Sequence, residues 1–251
     1  MKKLLLILLL SIQQLFALIS IVPIEIGNKP GVSGKIKVGL ETKRGNTHKD
    51  GYTGSMLINY DNNSSYVIWL DISAEYAEVS GLVDTSKVYS HLRYIHALEN
   101  KDIQTEFFLQ AQQDKFKAIE KRRLAGAGLR FKLFGEESEG KAYFGIGALY
   151  EYLRHIDDTI DPDEDNTRLS TYAAYTIDFN EDSNLAYTIY YQPRLNKFSD
   201  HVISNKFEIQ LHVYLKLFLQ FSVYYDVDSS PPNSIEKHYD FGQSTTFVLD
   251  F

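Results

Sequence analysis

The sequence predicts an all-β protein: a single up-and-down antiparallel transmembrane β-barrel of about twelve strands, preceded by a cleaved signal peptide. Three observations predict it. After about Val32 the chain alternates apolar and polar residues in one segment after another. The links between these segments alternate between short turns and longer loops. The last segment is amphipathic and closes on an aromatic residue, Phe251. A period of two places one residue set on each face of a strand, and short periplasmic turns alternating with longer extracellular loops are expected of outer-membrane barrels.

The N-terminal segment comes first. Met1-Lys2-Lys3 is a short basic start, Leu4 to Leu10 is wholly apolar, and the greasy stretch continues through Ile12 and Leu15 to Ile19. This is the pattern of a secretory signal, with Ala17 and Ser20 both suitable small residues at the cleavage site. Gln13 and Gln14 interrupt the run, whereas a spanning helix needs about 20 mainly apolar residues. No second long apolar run follows, which excludes a helical membrane protein. The expected organisation is a signal peptide over 1–20, a periplasmic segment over 21–32 and a barrel over 33–251.

Composition agrees with an exported barrel. Cysteine is absent, so neither a disulfide nor a lipidated Cys is available. Removing residues 1–20 takes two lysines and no acid, moving the net charge from −7 to −9. An acidic balance argues against nucleic acid as a partner. The 18 Tyr and 15 Phe suit a porin-like wall, in which half of each strand meets lipid.

The strand centres fall near Val38, Met56, Leu70, Leu92, Phe107, Leu129, Ile146, Ala173, Ile189, Ile209, Val223 and Phe247. In the segment 142–152, Ala142, Phe144, Ile146, Ala148, Tyr150 and Tyr152 oppose Tyr143, Gly145, Gly147, Leu149 and Glu151. Greasy sets such as Tyr66/Ile68/Leu70/Ile72 and Leu219/Phe221/Val223/Tyr225 carry no charge in mid-strand. A Lys or Arg at the lipid midplane would cost roughly 2–4 kcal/mol. A soluble β-sandwich or lipocalin-like barrel also alternates, with the greasy face as its core. The connections favour the membrane barrel. Asp61-Asn62-Asn63, Glu99-Asn100-Lys101, Asn180-Glu181-Asp182 and the turn after Leu215 are short, and the rather long Gly135–Gly140 falls where another short turn should be. The links Arg44–Gly51, Ser80–Ser86, Asp114–Glu120, His155–Thr167, Asn196–Ser204 and Asp228–Lys237 are longer. Phe247, Leu249 and Phe251 form the outward set of the last strand and resemble the signal read by the barrel-assembly machinery.

The other face must line the lumen. It offers Glu41, Asp71, Glu75, His91, Arg93, Glu106, Arg130, Glu151, Asp178, Arg194 and Glu208, together with Lys37, Arg122, Lys132 and Asp226. Neighbouring strands alternate in sign, so opposite charges are expected to pair across the ladder. Such a network either packs a closed lumen or lines a narrow wet path, and about twelve strands lies between the filled and the open barrels. Gly126, Gly128, Gly145 and Gly147 fall on the inward face of two adjacent strands, making space or receiving a neighbour such as Arg130 or Tyr143. They sit mid-strand without a following helix and do not form a phosphate loop. Asp161-x-Asp163-x-Asp165 lacks the Gly and Glu of a calcium loop, having Asn166 and Tyr172 at those positions, and reads as a solvated acidic loop. No metal or other cofactor is expected. No His is followed two residues later by the Ser that outer-membrane lipid hydrolases use, and Ser90 and His91 face opposite sides of a strand, so no enzyme is expected.

Short motifs resemble one known family. Leu40-Glu41-Thr42-Lys43-Arg44-Gly45-Asn46-Thr47 is similar to its first hairpin, and Tyr224 to Pro232 running on to Ile235-Glu236-Lys237 is similar to its last loop. Tyr89 to Tyr94 and Leu124 to Arg130 add to the likeness. The family is that of the salt-induced outer membrane proteins, YdiY-like, or domain of unknown function 481. Where it commonly places Asp after the Gly-Asn-Thr triplet, this chain has His48. The resemblance implies an outer-membrane barrel linked to salt or osmotic stress and brings no catalytic residues. The expected function is thus a structural or pore-like protein of the bacterial outer membrane, with a selective channel for a small polar solute and a lipid or peptide hydrolase as alternatives. Its expected partners are outer-membrane lipid, lipopolysaccharide and the barrel-assembly machinery.

Overall fold

A computed structural model describes residues 24–43, 49–115, 117–136, 140–180, 183–233, 235 and 237–251. The signal peptide and the Gly45-Asn46-Thr47 triplet with His48 lie outside the described residues. The strands are β1 (Gly31–Lys43), β2 (Lys49–Asp61), β3 (Tyr66–Val79), β4 (Leu82–Ala97), β5 (Ile103–Asp114), β6 (Ile119–Glu136), β7 (Gly140–His155), β8 (Glu164–Asn180), β9 (Ser183–Arg194), β10 (Lys197–Tyr214), β11 (Leu217–Asp228) and β12 (Tyr239–Asp250). Each pairs antiparallel with its sequence neighbour, and β1 pairs with β12, giving a closed twelve-stranded up-and-down barrel. Closure leaves no sheet edge to satisfy, which is what allows strands to cross hydrocarbon.

The distribution of polarity is inverted relative to a soluble protein. Leu40, Phe107, Leu109, Tyr150 and Phe247 all point outward and are more than half exposed, whereas Arg130 and Glu151 point inward and are 2% and 1% exposed. On β3 the outward row starts at Tyr66, continues through Ile68, Leu70 and Ile72, and ends at Tyr76, all exposed or half-buried. Tyrosine at each end with aliphatics between is the aromatic girdle of a membrane wall, and the row has the roughly 9–11 residues that a tilted strand needs. Rows of exposed apolar side chains repeated from strand to strand mark a surface that meets lipid rather than water. The greasy sets therefore face lipid and the barrel spans a membrane.

Both described ends of the chain lie at one end of the barrel, with the turns 62–65, 98–102 and Leu215–Lys216 (the turn end). The opposite, loop end carries 156–163 and 229–238. Two expected long links are corrected. Ser80–Ser86 reduces to the two-residue turn Ser80-Gly81, and Asn196–Ser204 to Leu195-Asn196. Ser80 and Gly81 have φ of 53° and 80°, the geometry whose twist suits a two-residue hairpin, so β3 and β4 continue as a ribbon past the girdle. The alternation of short and long links is real but incomplete, because strand residues beyond the membrane read like loop. The segments 137–139 and 181–182 lie outside the described residues.

The seam is the shortest ladder. β1 and β12 pair from Lys35–Asp250 to Val38–Phe247, and Gly34 and Phe251 exchange backbone hydrogen bonds of 3.0 and 2.9 Å below them. The Phe251 ring lies over Gly34, where a β-carbon would overlap it.

Candidate functional site: the lumen

Inward side chains from β3 to β9 pack into a wall that fills one side of the barrel. Its centre is Arg93 on β4. The guanidinium carbon stands 5.7, 5.5 and 5.5 Å from the ring centroids of Trp69, Phe108 and Tyr172, and a terminal nitrogen is 3.6 Å from Glu106 Oε1. The Tyr172 hydroxyl donates to the same oxygen at 2.7 Å. His91 stacks on Trp69 with centroids 4.9 Å apart and shares a 3.0 Å hydrogen bond with the Tyr89 hydroxyl. Guanidinium over aromatic faces keeps a charge in place with little water.

The four inward glycines make this packing possible. Gly126 receives the Phe108 ring and Gly145 the Tyr172 ring, rather than Arg130 or Tyr143. Gly128 and Gly147 are ladder partners, and a β-carbon on either would meet the backbone of the other strand, at 2.6 Å from Ile146 O in the case of Gly128. Ring tips can move and backbone cannot. Gly147→Val is therefore expected to destabilise the folded barrel more than Gly126→Ala, by at least about 1–3 kcal/mol. Urea unfolding of both variants, followed by the heat-dependent gel shift of the barrel, checks the order.

Towards the loop end a chain of ion pairs runs across five strands. Arg122 and Arg168 both bind Glu151, at 2.5 and 2.8 Å. Arg168 also binds Asp200 at 3.1 Å, Arg194 binds Asp200 at 3.2 Å, and Arg194 binds Glu164 at 2.5 Å. His155 lies 3.6 Å from the same glutamate. Arg168, Asp200 and Glu164 are not among the residues expected from the sequence. Asp200 and Glu164 fall in stretches that read as loops, and Arg168 at the edge of one. Continuing the strand alternation through Asn166, Arg168, Ser170 and Tyr172 would find Arg168.

The expected alternation of sign between neighbouring strands is realised in Arg93–Glu106 and again in Arg122–Glu151–Arg168 on β6, β7 and β8, but not at Arg130. Arg130 stacks on the Tyr143 ring at 3.7 Å and donates at 3.0 Å to the backbone oxygen of Ile24. Glu151 takes Arg122 and Arg168 instead. Glu208 is bound by Lys206 at 2.9 Å and accepts from Gln220 and Ser222. Asp178 is exposed at the turn-end mouth. Glu41 lies on β1 opposite Gly51, and its side chain lies outside the described residues. Asp71 and Glu75 are inward and half-buried.

That half-burial marks the other side of the lumen. Lys35, Lys37, Asp71, Glu75 and Lys206, on β1, β3 and β10, keep partial exposure while the wall opposite is dry. At the loop end this wetter side reaches a cavity of about 50 Å³ between Gly39, Thr53, Glu75 and Thr246, where the β1–β12 ladder has ended. At the turn end the mouth is crossed by residues 24–29. Lys29 is 3.4 Å from Asp250 on β12, and Gly27 N donates at 2.7 Å to Asp61 on β2. On the far wall Glu25 is clasped by Lys132 at 2.6 Å and Lys141 at 2.7 Å. Burial opposes ionisation of Glu25, but these two lysines outweigh it and hold its carboxyl below the usual range.

The loop end is tied by different groups. Asp161 is buried and accepts from Asn233 N at 2.6 Å and Asn233 Nδ2 at 3.0 Å, joining loops 156–163 and 229–238. Asp163 accepts from Tyr152 and Asp165 from Tyr150. The three acids thus serve three different donors. Among the described residues no cluster of side chains is arranged to hold a metal ion.

The profile of a family described as "Protein of unknown function, DUF481" matches residues 36–251. No curated protein matches the chain. Among solved structures, the chain is similar to the NanC porin in a rhombohedral crystal form, with 13% identity and a TM-score of 0.47 over 87% of this chain and 97% of that one. It is similar to the translocator domain of the autotransporter NalP from Neisseria meningitidis, with 10% identity and a TM-score of 0.48 over 89% of each chain. The KdgM porin in complex with disordered oligogalacturonate has 9% identity and a TM-score of 0.44 over 87% of this chain and 96% of that one.

Proposed function

As this chain belongs to the DUF481 family and its strands close into a transmembrane barrel, we propose that it is a non-enzymatic, pore-like protein of the bacterial outer membrane. Its off-centre polar path passes small solutes once the N-terminal segment leaves the turn-end mouth. The observation that carries this reading is the asymmetry of the lumen. A rigid arginine–aromatic wall faces a strip on which Lys37, Asp71, Glu75 and Lys206 stay partly exposed. Charges of both signs along one narrow path set up a field across it, which favours small polar or dipolar solutes. With the termini at the periplasmic end, Phe247, Leu249 and Phe251 present an apolar outward edge beside the seam, suited to recognition by the barrel-assembly machinery.

The link to salt stress belongs to the same reading. Glu25, Lys132 and Lys141 have side chains 21–24% exposed, so solvent ions reach them. Raising ionic strength from about 0.15 to 1 M shortens the screening length from about 8 to 3 Å and weakens such a clasp. The pH dependence has a definite sign. A carboxyl held below its unfolded value keeps its full contribution above about pH 4.3 and loses it as pH falls through the lowered value. Planar-bilayer currents, normalised to bulk conductivity, are expected to be small above about pH 4.3 and to rise as pH falls below it. Glu25→Gln is expected to show the raised current already at pH 7. Asp71→Asn with Glu75→Gln is expected to shift selectivity towards anions. Absence of current in both the native protein and Glu25→Gln would instead support a closed, structural barrel, a reading favoured by the packed wall.

A further inference from the structure

The outer wall holds a groove that the lumen's function does not use. Across β4, β5 and β6 the outward residues Ser90, Ala111 and Ala125 are small, and they lie between ridges made by Leu92, Leu109 and Tyr150. The resulting depression measures about 500 Å³, within the range of sites that hold a small ligand. It is open to the surrounding lipid and apolar along most of its length. At its loop-end limit the lining changes to Arg123, which is exposed and pairs across the ladder with Ala111 on one side and Tyr152 on the other.

Arg123 does not stand alone. Lys121 is the next outward residue on β6, and its ladder partner on β7 is Arg154. Like charges directly opposite each other destabilise a sheet unless an anion lies between them. Arg154 has Glu120 at 3.0 Å, but among the described residues no carboxylate is within ion-pair distance of Lys121 or Arg123. The depth is defined by Tyr150 and Tyr152, whose hydroxyls donate to Asp165 and Asp163 at the wet end of the girdle. Cations at that level cost little, since the penalty of about 2–4 kcal/mol at the midplane falls to about 0–1 near the interface. Acyl-sized space below and unneutralised cations at headgroup depth above are complementary to one kind of molecule. This end lies opposite the termini, where the outer leaflet would be.

We propose that this groove binds the phosphorylated glycolipid of the outer leaflet, one acyl chain lying over Ala111 and Ala125 and a phosphate bridging Lys121 and Arg123, beside the Arg154–Glu120 pair. The inference rests on the outer-membrane reading but not on conduction.

The test is native mass spectrometry of the detergent-purified protein incubated with lipid A, dephosphorylated lipid A or phosphatidylglycerol. The native barrel is expected to retain one lipid A, and the Lys121→Ala/Arg123→Ala variant to retain it at least tenfold less. Ala111→Phe, which fills the groove and leaves the cations, is expected to lose binding as well. Dephosphorylated lipid A is expected to bind like the double variant. All three changed residues are exposed, and a native gel shift confirms folding. Equal retention by native and variant barrels, or equal binding of phosphatidylglycerol, would overturn the assignment. Bilayer currents unaltered in these variants separate its failure from that of the proposed function.

Discussion

Glu151→Ala is expected to lower the unfolding free energy by about 3–5 kcal/mol, the range for breaking a buried charge pair from one side. Glu151 is 1% exposed and is the shared acceptor of Arg122 and Arg168. Removing it leaves two guanidiniums facing each other in a dry wall. Arg168 keeps Asp200 at 3.1 Å, whereas Arg122 is left with no carboxylate partner among the described residues. The damage should therefore concentrate on Arg122. Adding Arg122→Met to Glu151→Ala is expected to recover part of the loss, because it removes the orphaned charge rather than restoring the pair. Urea unfolding of the single and double variants in detergent, arranged as a double-mutant cycle, measures this coupling. Additive losses would show that Arg122 and Glu151 are not coupled.

Trp69→Ala is expected to cost a similar amount, about 3–5 kcal/mol, but for a different reason. Trp69 is 1% exposed and supplies one face of the stack that holds His91 and Arg93. Its indole N–H has no acceptor among the described residues, so the ring contributes through area and π contact rather than through a hydrogen bond. Trp69→Phe is accordingly expected to cost less than half as much, within about 1.5 kcal/mol of the native barrel. Trp69 neighbours the wetter strip, being two residues from Asp71 on the same face of β3. The alanine variant is thus also expected to widen the path and raise normalised bilayer current, and the phenylalanine variant to leave it unchanged. Because Trp69 is the single tryptophan, its emission reports on the wall in any other variant. A Glu151→Ala barrel with unshifted emission would show that the two clusters are mechanically separate.

Much of the architecture is legible in the amino-acid sequence. Two-residue periodicity is local, and rows such as Tyr66/Ile68/Leu70/Ile72 point outward as the alternation requires. Where local signals fail, the cause is also local. Polar strand residues beyond the membrane, such as Asp84, Ser199 and Asp200, read as loops because the consecutive Leu82-Val83 and the lone Phe198 beside them set up no two-residue alternation. The wall's ion pairs escape a reading of strand neighbours for a related reason. Side chains as long as arginine reach past the adjacent strand, so sign alternation between neighbours does not say that Arg168 spans Glu151 and Asp200. Nor does it say that Arg130 turns away from Glu106 to Tyr143 and Ile24.

Alternation and turn chemistry along the chain were enough to determine a closed barrel with a lipid-facing exterior, because each is set by residues within a few positions of one another. Closure alone decided which inward residues meet. Bringing β1 round to β12 places Glu25 beside Lys132 and Lys141, and divides the lumen into a dry wall and a wetter strip. Those contacts join residues more than a hundred positions apart, and they depend on strand tilt and side-chain reach in three dimensions, neither of which a period of two encodes.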